Sequence, residues 1–554
     1  MYKLSTTILS IVSLSFQYVS INAIFVVSQK NSILAIGSKL NNNKREMITS
    51  GISTVGPTPE DINCYIGTLS EIGETIHIDT TQMCLHLELL ESEASNNSSL
   101  PDGIVTAINE QQKPILLSLD YKNVPEATFS DTIELSSDRF PAIMTADGLG
   151  VYIALHDTGD TTYDRFSTYS SHNKTKTIWN YLKTLSHPEN EQINQSPHIH
   201  KYSILKEDDR EIPVWEQELT TLEGKTLITA MEAIPSRNKL VVAGSTTGYG
   251  EKIGAGAIGG RGNWDGYLTL VNMDTGFINV ETFGTYDSHS VRIRSQLDKD
   301  DVVLGLCIDK DTGDDEDKVY VLGSTSGRID GAEDGGAFVM KIDIDTLDVI
   351  WKKQFGGVGG HGKDQIEATH CDVQGDTLYV GGNVPVGVKL DDHTSESLSD
   401  TVDIFAISFN AKTGNINFIR QIDSHRDDQL VAIEIQPTSG ELHLTANAWD
   451  FKNDATHVYL LSMSKQGKHY LQNLAPDEDP ITGLIYKGQE DDNNENKQDQ
   501  GPSLEKKSNR GAFITIPVVL VVLGFLGFVI YNRKTQRNKD SAELSTVNGE
   551  VEII

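Results

Sequence analysis

Short apolar runs alternate with turn residues from Ile24 to about Leu474, and helical periodicity is almost absent from this stretch. Apolar positions that alternate with polar ones over a few residues, bounded by Gly, Asn or Asp, are typical of β-strands. The pattern therefore predicts an all-β fold for most of the chain.

Two kinds of element recur along this stretch. The first is a strand that ends in small residues, and its clear copies are KLVVAGSTTG (Lys239–Gly248), KVYVLGSTSG (Lys318–Gly327), TLYVGGNV (Thr377–Val384) and ELHLTANA (Glu441–Ala448). The second is a hairpin, with clear copies at Asp265–Gly284, Gly335–Gly357, Asp403–Ile422 and His457–Leu474. Looser hairpins are predicted at Cys64–Ile78, Gly103–Leu119 and Tyr202–Leu219, and looser first elements at Ser32–Ser38 and Gly150–Asp157. The repeat predicts one four-stranded antiparallel module per period.

Such modules must stack, because a lone four-stranded sheet leaves both apolar faces bare, and closure into a ring protects its edges. We therefore expect a β-propeller of about seven four-stranded blades, with six or eight left open by the irregular N-terminal copies. A β-sandwich is the alternative fold.

One copy of the repeat resembles a known family. Around Val319–Gly357 the chain reads KVYVLGSTSG, then GGAFVMKIDIDTLDVIWKKQFGG, and Trp215 and Trp351 keep the tryptophan of the pattern. This resembles the bacterial-type β-propeller repeat family, whose units run Val-Tyr-Val-x-Gly-x-Thr and end in Trp-x-x-x-Phe-Gly-Gly. The resemblance covers about half of this stretch, implies the propeller fold, and brings no catalytic residues.

The two ends of the chain predict export and a membrane anchor. Residues 1–23 have the layout of a signal peptide, although a β-rich N-terminus is the alternative. Residues 511–531 form an uncharged apolar run long enough to cross a bilayer as one helix. Four basic residues follow it, Arg533, Lys534, Arg537 and Lys539. Because basic residues stay on the cytosolic side, the N-terminal part is expected outside the cytosol, in a single-pass type I orientation.

This orientation divides the chain into five predicted parts. They are the signal peptide 1–23, the propeller ectodomain 24–474, a disordered acidic stalk 475–510, the transmembrane helix 511–531 and a cytosolic tail 532–554. The stalk contains almost no apolar residues and cannot bury a core. The expected location is the plasma membrane or an endomembrane. The tail ends in GEVEII, a C-terminus that a PDZ-type groove could hold.

Charge and polar motifs narrow the possible functions. The chain carries 79 acidic against 46 basic residues, a formal net charge of −33, which argues against nucleic-acid binding. Sequons at Asn96, Asn97, Asn173 and Asn194 predict glycosylation. The four cysteines predict bridges between Cys307 and Cys371 and between Cys64 and Cys84, with buried free thiols as the alternative.

Candidate cofactor and catalytic motifs are few. The acidic run Asp309, Asp311, Asp314, Asp315 and Asp317 could bind Ca²⁺, or form a solvated turn. Gly254, Gly256 and Gly259 fit a dinucleotide motif only formally, because no helix is predicted after them. The histidines His289, His361, His370 and His443 lie in different repeats and share no spacing, and no nucleophile-and-base motif accompanies them.

We therefore expect a non-enzymatic, membrane-anchored binding, adhesion or receptor-like protein whose partner is an extracellular protein or glycan. A cargo or structural protein of the secretory pathway is the first alternative. A propeller enzyme is the second.

Overall fold

The fold is described from a computed structural model. The described residues are 24–27, 32–41, 46–54, 62–70, 73–79, 83–90, 101–109, 113–120, 128–137, 139–147, 150–156, 197–204, 211–219, 226–247, 264–278, 290–295, 299–309, 318–330, 335–356, 366–390, 401–450 and 455–468. The chain separates into two compact units, Met1–Gln489 and Glu490–Ile554. The second unit lies wholly outside the described residues.

The described residues form seven four-stranded antiparallel sheets. Sheet 1 contains β2 (Ser32–Asn41), β3 (Glu46–Thr54), β4 (Ile62–Ser70) and β5 (Gly73–Asp79). Sheet 2 contains β6 (Met83–Leu89), β7 (Gly103–Ile108), β8 (Pro114–Asp120) and β9 (Thr128–Glu134). Sheet 3 contains β10 (Phe140–Ala146), β11 (Gly150–His156), β12 (His198–Ser203) and β13 (Trp215–Glu218).

Four further sheets continue along the chain. Sheet 4 contains β14 (Thr226–Ile234), β15 (Lys239–Thr246), β16 (Asp265–Asn272) and β17 (Ser290–Ile293). Sheet 5 contains β18 (Asp301–Asp309), β19 (Lys318–Thr325), β20 (Gly336–Asp343) and β21 (Val349–Phe355). Sheet 6 contains β22 (Glu367–Gln374), β23 (Thr377–Val384), β24 (Asp403–Asn410) and β25 (Ile416–Ile422). Sheet 7 contains β26 (Asp427–Ile435), β27 (Leu442–Asp450), β28 (Ala455–Met463) and, beside β28, β1 (Ile24–Val27).

The sheets are arranged as a β-propeller. In sheets 1 to 6 the strands lie side by side in chain order. In sheet 7 the strands β26, β27 and β28 follow chain order, and β1, from the N-terminal end of the described chain, pairs with β28 as the fourth strand. The first strands of successive sheets contact one another in the order β2, β6, β10, β14, β18, β22 and β26, and β26 contacts β2. Because sheet 7 packs against sheet 1 and β1 pairs with β28, neither end of the series of sheets is left uncovered.

The hydrophobic core lies between neighbouring sheets, and this explains the sequence of the middle strands. Every residue of β19 after Lys318 is buried, and so is every residue of β20 except the last, Asp343. A strand covered on both faces has a continuous apolar run instead of an alternating one. One cluster joins Leu322 and Val339 of sheet 5 to Val380 and Phe405 of sheet 6.

An aromatic latch connects some neighbouring sheets. Trp351 in β21 donates its Nε1–H to the carbonyl of Ala411 at 3.1 Å, in the turn after β24 of the next sheet. In that turn Gly414 has φ +69°, and a Cβ there would lie 2.9 Å from the Trp351 ring. Trp215 in β13 repeats the arrangement, donating to the Met273 carbonyl at 2.9 Å. The tryptophans retained in the repeat thus hold turns of the following sheet.

Several predicted hairpins differ from the observed ones. The hairpin predicted at Gly103–Leu119 is β7 and β8, the second and third strands of sheet 2, and Ser32–Ser38 lies in the first strand of sheet 1. The fourth strand of sheet 4, which pairs with β16 opposite β15, is Ser290–Ile293. Of the strand predicted directly after the turn, the described residues show an isolated bridge between Ile278 and Val271. In sheet 7, β1 takes the place of the second strand predicted for His457–Leu474.

Four of the five predicted parts, residues 1–23, 475–510, 511–531 and 532–554, lie outside the described residues. Within the described part of the chain, no helix has the length and apolar character that crossing a membrane requires. β1 begins at Ile24, immediately after the predicted signal peptide.

Candidate binding face

One end of the sheets carries two sets of connections. Because the strands are antiparallel, the connection from the second to the third strand of a sheet emerges at the same end as the connection from its fourth strand to the next sheet. We call this end the polar face, and its buried polar residues in sheets 5 to 7 include Asp301, Thr325, Gln354, Asp403, Ser424 and Asp428. Its buried polar side chains make it a candidate for a binding surface.

At sheet 5, the side chain of Asp301, the first residue of β18, holds two segments of the polar face together. Its side chain is fully buried and accepts hydrogen bonds from the backbone N–H of Ser295, from Ser295 Oγ at 2.9 Å and from Thr325 Oγ1. Burial raises the pKa of the Asp301 carboxyl above its ordinary value, and the bonds from Thr325 and Ser295 oppose that shift. The carboxylate therefore ties the connection before β18 to the end of β19.

Gln354 fixes a second connection in the same sheet. Its Oε1 accepts from the Ile329 N–H at 2.7 Å, and its Nε2 donates to the carbonyls of Gly327 and Gly335, each at 2.9 Å. A single buried amide thus satisfies three backbone groups of the connection between β19 and β20.

Gln421 in β25 repeats this arrangement in sheet 6. It accepts from the Leu390 N–H at 3.0 Å and donates to the Val388 carbonyl at 3.1 Å and to Asp403 Oδ2 at 2.6 Å. The same arrangement therefore holds the first part of the connection between β23 and β24, at Val388 and Leu390.

Asp428 fixes the polar face at sheet 7. It is 3% exposed and accepts from the Ser424 N–H at 3.2 Å and from Ser424 Oγ at 2.6 Å. Burial raises the pKa of the Asp428 carboxyl well above its ordinary range, and the nearby Asp403 adds to this effect. Three consecutive sheets thus use buried polar side chains to hold the described parts of their connections.

A histidine cluster lies at the same end of sheet 3. His198 and His200 are two residues apart in β12 and therefore project from one face of the sheet, and Glu216 of β13 pairs with His200. One ligand atom from each of the three residues lies within 4.8 Å of the others. His200 Nε2 is 3.4 Å from Glu216 Oε2. None of the three residues is among the candidate site residues predicted from the sequence.

Burial differs sharply within the cluster. His200 is 5% exposed, its Nδ1 lies 3.1 Å from Tyr202 Oη, and its buried Nε2 makes no hydrogen bond within the described part of the chain. The side chain of Glu216 is 65% exposed. Burial lowers the pKa of His200 below its ordinary value, Glu216 opposes the shift and Arg139 adds to it. The imidazole is thereby favoured in its neutral form, which can accept a proton or bind a metal.

The innermost strands place charges around the propeller axis. Lys39 Nζ of β2 lies 3.9 Å from Glu88 Oε2 and 4.0 Å from Glu434 Oε1, and Glu232 and Asp372 also act on it. These acidic neighbours raise the pKa of Lys39, most strongly Glu88. Burial raises the pKa of Glu434 despite the opposing effect of Lys39. In the described part of the chain, Lys39 thus lies among several carboxylates at the axis.

Both cysteine pairs are joined. Cys64 of β4 and Cys84 of β6 form a disulfide with a Cα–Cα distance of 5.0 Å, linking sheets 1 and 2. Cys307 of β18 and Cys371 of β22 form a second one with a Cα–Cα distance of 5.8 Å, linking the first strands of sheets 5 and 6. Each disulfide connects two adjacent sheets.

The other predicted site residues are mostly outside the described residues. Asp309 ends β18 and is 2% exposed, whereas Asp311, Asp314, Asp315 and Asp317 lie outside, so Ca²⁺ binding stays a prediction. Also outside are Asn96, Asn97, Asn173, Asn194, Gly254, Gly256, Gly259, His289, His361 and the C-terminal GEVEII. His370 lies in β22 and His443 in β27, on different sheets.

Comparison with known proteins gives little similarity. Neither a protein-family model nor a curated protein matches the chain. Among solved structures, the crystal structure of Chaetomium thermophilum Raptor is similar to this chain with a TM-score of 0.41 and 8% sequence identity. That match covers 80% of this chain and 29% of Raptor, so it spans less than a third of the other protein. The assignment of the fold follows from the sheets themselves.

Proposed function

We propose that this protein is a membrane-anchored binding module whose propeller lies outside the cytosol and binds an extracellular protein or glycan through the polar face. In this proposal the seven sheets are seven blades of one closed ring, and residues 511–531 form the single transmembrane helix. The preorganised polar face carries the proposal. Connections held by buried Asp and Gln side chains lose little entropy when a partner binds, and this favours affinity.

The two disulfides support a location outside the cytosol. Structural disulfides persist in oxidising compartments and are rare in the cytosol, where thiols are kept reduced. Both bridges join strands of different sheets, Cys64 with Cys84 and Cys307 with Cys371. They are therefore part of the folded propeller and accord with export.

The location is tested with the full chain carrying an epitope at its C-terminus, expressed in cells. We expect an N-glycosidase to lower its apparent mass, and the shift to disappear when Asn96, Asn97, Asn173 and Asn194 are all replaced by Gln. We also expect the epitope to stain only after permeabilisation. An unglycosylated chain whose epitope stains on intact cells would contradict this orientation.

The binding role is tested with the full chain in nanodiscs, probed against arrays of glycans and extracellular matrix proteins. Substitutions R328E and V386E change an exposed cation and a 42% exposed aliphatic residue on connections of the polar face. The matched control, K465E with I416E, makes the same changes at the opposite end of the sheets, where Ile416 is 45% exposed. We expect saturable binding that the polar-face variant weakens and the control retains. Absence of saturable binding, or equal loss in both variants, would refute the proposed face.

A further inference from the structure

We propose that His198, His200 and Glu216 form a binding site for a divalent transition-metal ion, with Zn²⁺ as the best-fitting ion. The site is separate from the contacts that carry the proposed binding role. It rests on the convergence of three ligand atoms from β12 and β13. Its second support is the buried Nε2 of His200, which points at this cluster and makes no hydrogen bond within the described residues.

The spacing of the ligand atoms suits a small tetrahedral ion. Zn²⁺ bonds nitrogen and carboxylate oxygen at about 2.0–2.2 Å, and tetrahedral angles then separate two ligand atoms by about 3.4 Å. His200 Nε2 and Glu216 Oε2 are already 3.4 Å apart. The ring centroids of His198 and His200 are 6.1 Å apart and their planes are inclined by 71°. Because His198 is only partly buried, its ring can turn to complete the set.

The donor set selects against Ca²⁺ and Mg²⁺. Those ions require mostly oxygen ligands, and Ca²⁺ takes six to eight of them. Two imidazoles and one carboxylate instead suit Zn²⁺ and its first-row neighbours. Three protein ligands leave one tetrahedral position open, and the exposed side of Glu216 gives solvent access to it. Water or a carboxylate from a bound partner would fill that position.

Tyr202 positions the buried ligand. Its Oη lies 3.1 Å from His200 Nδ1 and belongs to a fully buried side chain. When Nδ1–H donates to this oxygen, the lone pair of the imidazole is left on Nε2, the atom that faces Glu216. A hydrogen bond from the second ring nitrogen is a regular feature of histidines that bind metals. Tyr202 is therefore a positioning residue.

Charged neighbours also affect how tightly the site binds a cation. Glu218 pairs with His198 across the two strands and is exposed, so it adds negative charge at the rim. Arg139 acts on His200 in the opposite sense. The net charge of the immediate surroundings, two carboxylates against one guanidinium, favours a cation.

The site is tested on the full chain, purified without a polyhistidine tag, stripped with chelator and titrated with Zn²⁺ alone by calorimetry. We expect one saturable site, with an affinity about 100-fold lower in E216Q and in H198Q, and about tenfold lower in Y202F. H425N is the matched control. His425 is another histidine beside a carboxylate, Asp423 at 3.5 Å, but no second histidine of the described part of the chain joins it in a metal-binding group.

E216Q and H198Q alter partly or fully exposed positions, so both are expected to fold, and circular dichroism checks this. Unchanged stoichiometry and affinity in both variants would overturn the site, because the Zn²⁺ would then be bound elsewhere. Loss of binding in H425N alone would do the same. Displacement of Zn²⁺ by millimolar Ca²⁺ would also contradict the proposed donor set.

Discussion

At the scale of single residues, Trp351 shows how one side chain couples neighbouring sheets. Its indole N–H and the ammonium of Lys341 both donate to the Ala411 carbonyl, each at 3.1 Å. Lys341 also lies over the ring of Tyr320, 5.2 Å from its centroid. Gly414 completes the latch, since only a residue without Cβ leaves room for the indole.

We predict that G414A destabilises the protein more than G387A does. Both glycines have positive φ, +69° and +74°, so alanine is strained at either position by about 1 kcal/mol. A Cβ at Gly387 would meet no atom of the described residues within 4 Å, whereas one at Gly414 would meet the Trp351 ring at 2.9 Å. The overlap should cost about 1–3 kcal/mol more. Equal losses in urea unfolding of the two variants would show that the latch does not stabilise the propeller.

A second prediction for a single residue concerns how the stability of the fold depends on pH. Burial lowers the pKa of His443 from 6.5 to about 4, and the residue is 6% exposed. Between pH 6.5 and about pH 4, His443 is therefore protonated in the unfolded chain and neutral in the folded chain. Stability is retained above pH 6.5 and lost as the pH falls towards 4, by about 3 kcal/mol from this residue.

H443Q should remove that part of the acid dependence while retaining a group able to contact Ser462, which lies 3.0 Å from His443 Nδ1. Unfolding free energies near pH 7 and pH 4 measure the effect, and exposed H425N serves as the control. If H443Q loses as much stability on acidification as the wild type, the burial argument is wrong.

At the scale of elements, the sequence identified strands best where both faces are covered. The strands β19, β20, β23 and β24 have nearly continuous apolar runs that stop at Gly, Asn or Asp, so their bounds follow from composition. In contrast, β17 has only four residues, Ser290–Ile293, and follows its partner β16 after a long connection, so no pattern indicates it.

The histidine cluster had a weaker signal than the strands. His-Ile-His at the start of β12 places two imidazoles on one face, and this spacing could have been noticed. Glu216 is different, because it reaches the cluster only through the pairing of β12 with β13. Pairing across a connection depends on the tertiary structure, so the complete ligand set could not be predicted.

The disulfides give a prediction at this scale. Cys307 and Cys371 are separated by 64 residues and Cys64 and Cys84 by 20, so the first bridge restricts the unfolded chain more. We expect C307A/C371A to lose about 4 kcal/mol and C64A/C84A about 3 kcal/mol. Denaturant unfolding measures both, and the wild type with reductant is the control. A larger loss in C64A/C84A would contradict the chain-entropy explanation.

At the scale of the whole molecule, the pairing of β1 with β28 joins opposite ends of the described chain. Ile24 pairs with Leu461 and Val27 with Val458, so the last sheet is complete only when the first strand is in place. The first strands also contact one another in a closed series from β2 to β26. Folding of the propeller therefore depends on contacts between residues far apart in sequence, a feature of slow-folding β-proteins.

The central claim is that adjacent sheets of one propeller are joined by disulfides in a compartment outside the cytosol. Peptide mapping of the full chain tests it directly, with cells lysed in alkylating reagent and no reductant added. The account predicts two cross-linked peptide pairs, Cys64 with Cys84 and Cys307 with Cys371. Four alkylated cysteines would contradict the location, and a bridge between Cys64 or Cys84 and Cys307 or Cys371 would contradict the order of the sheets.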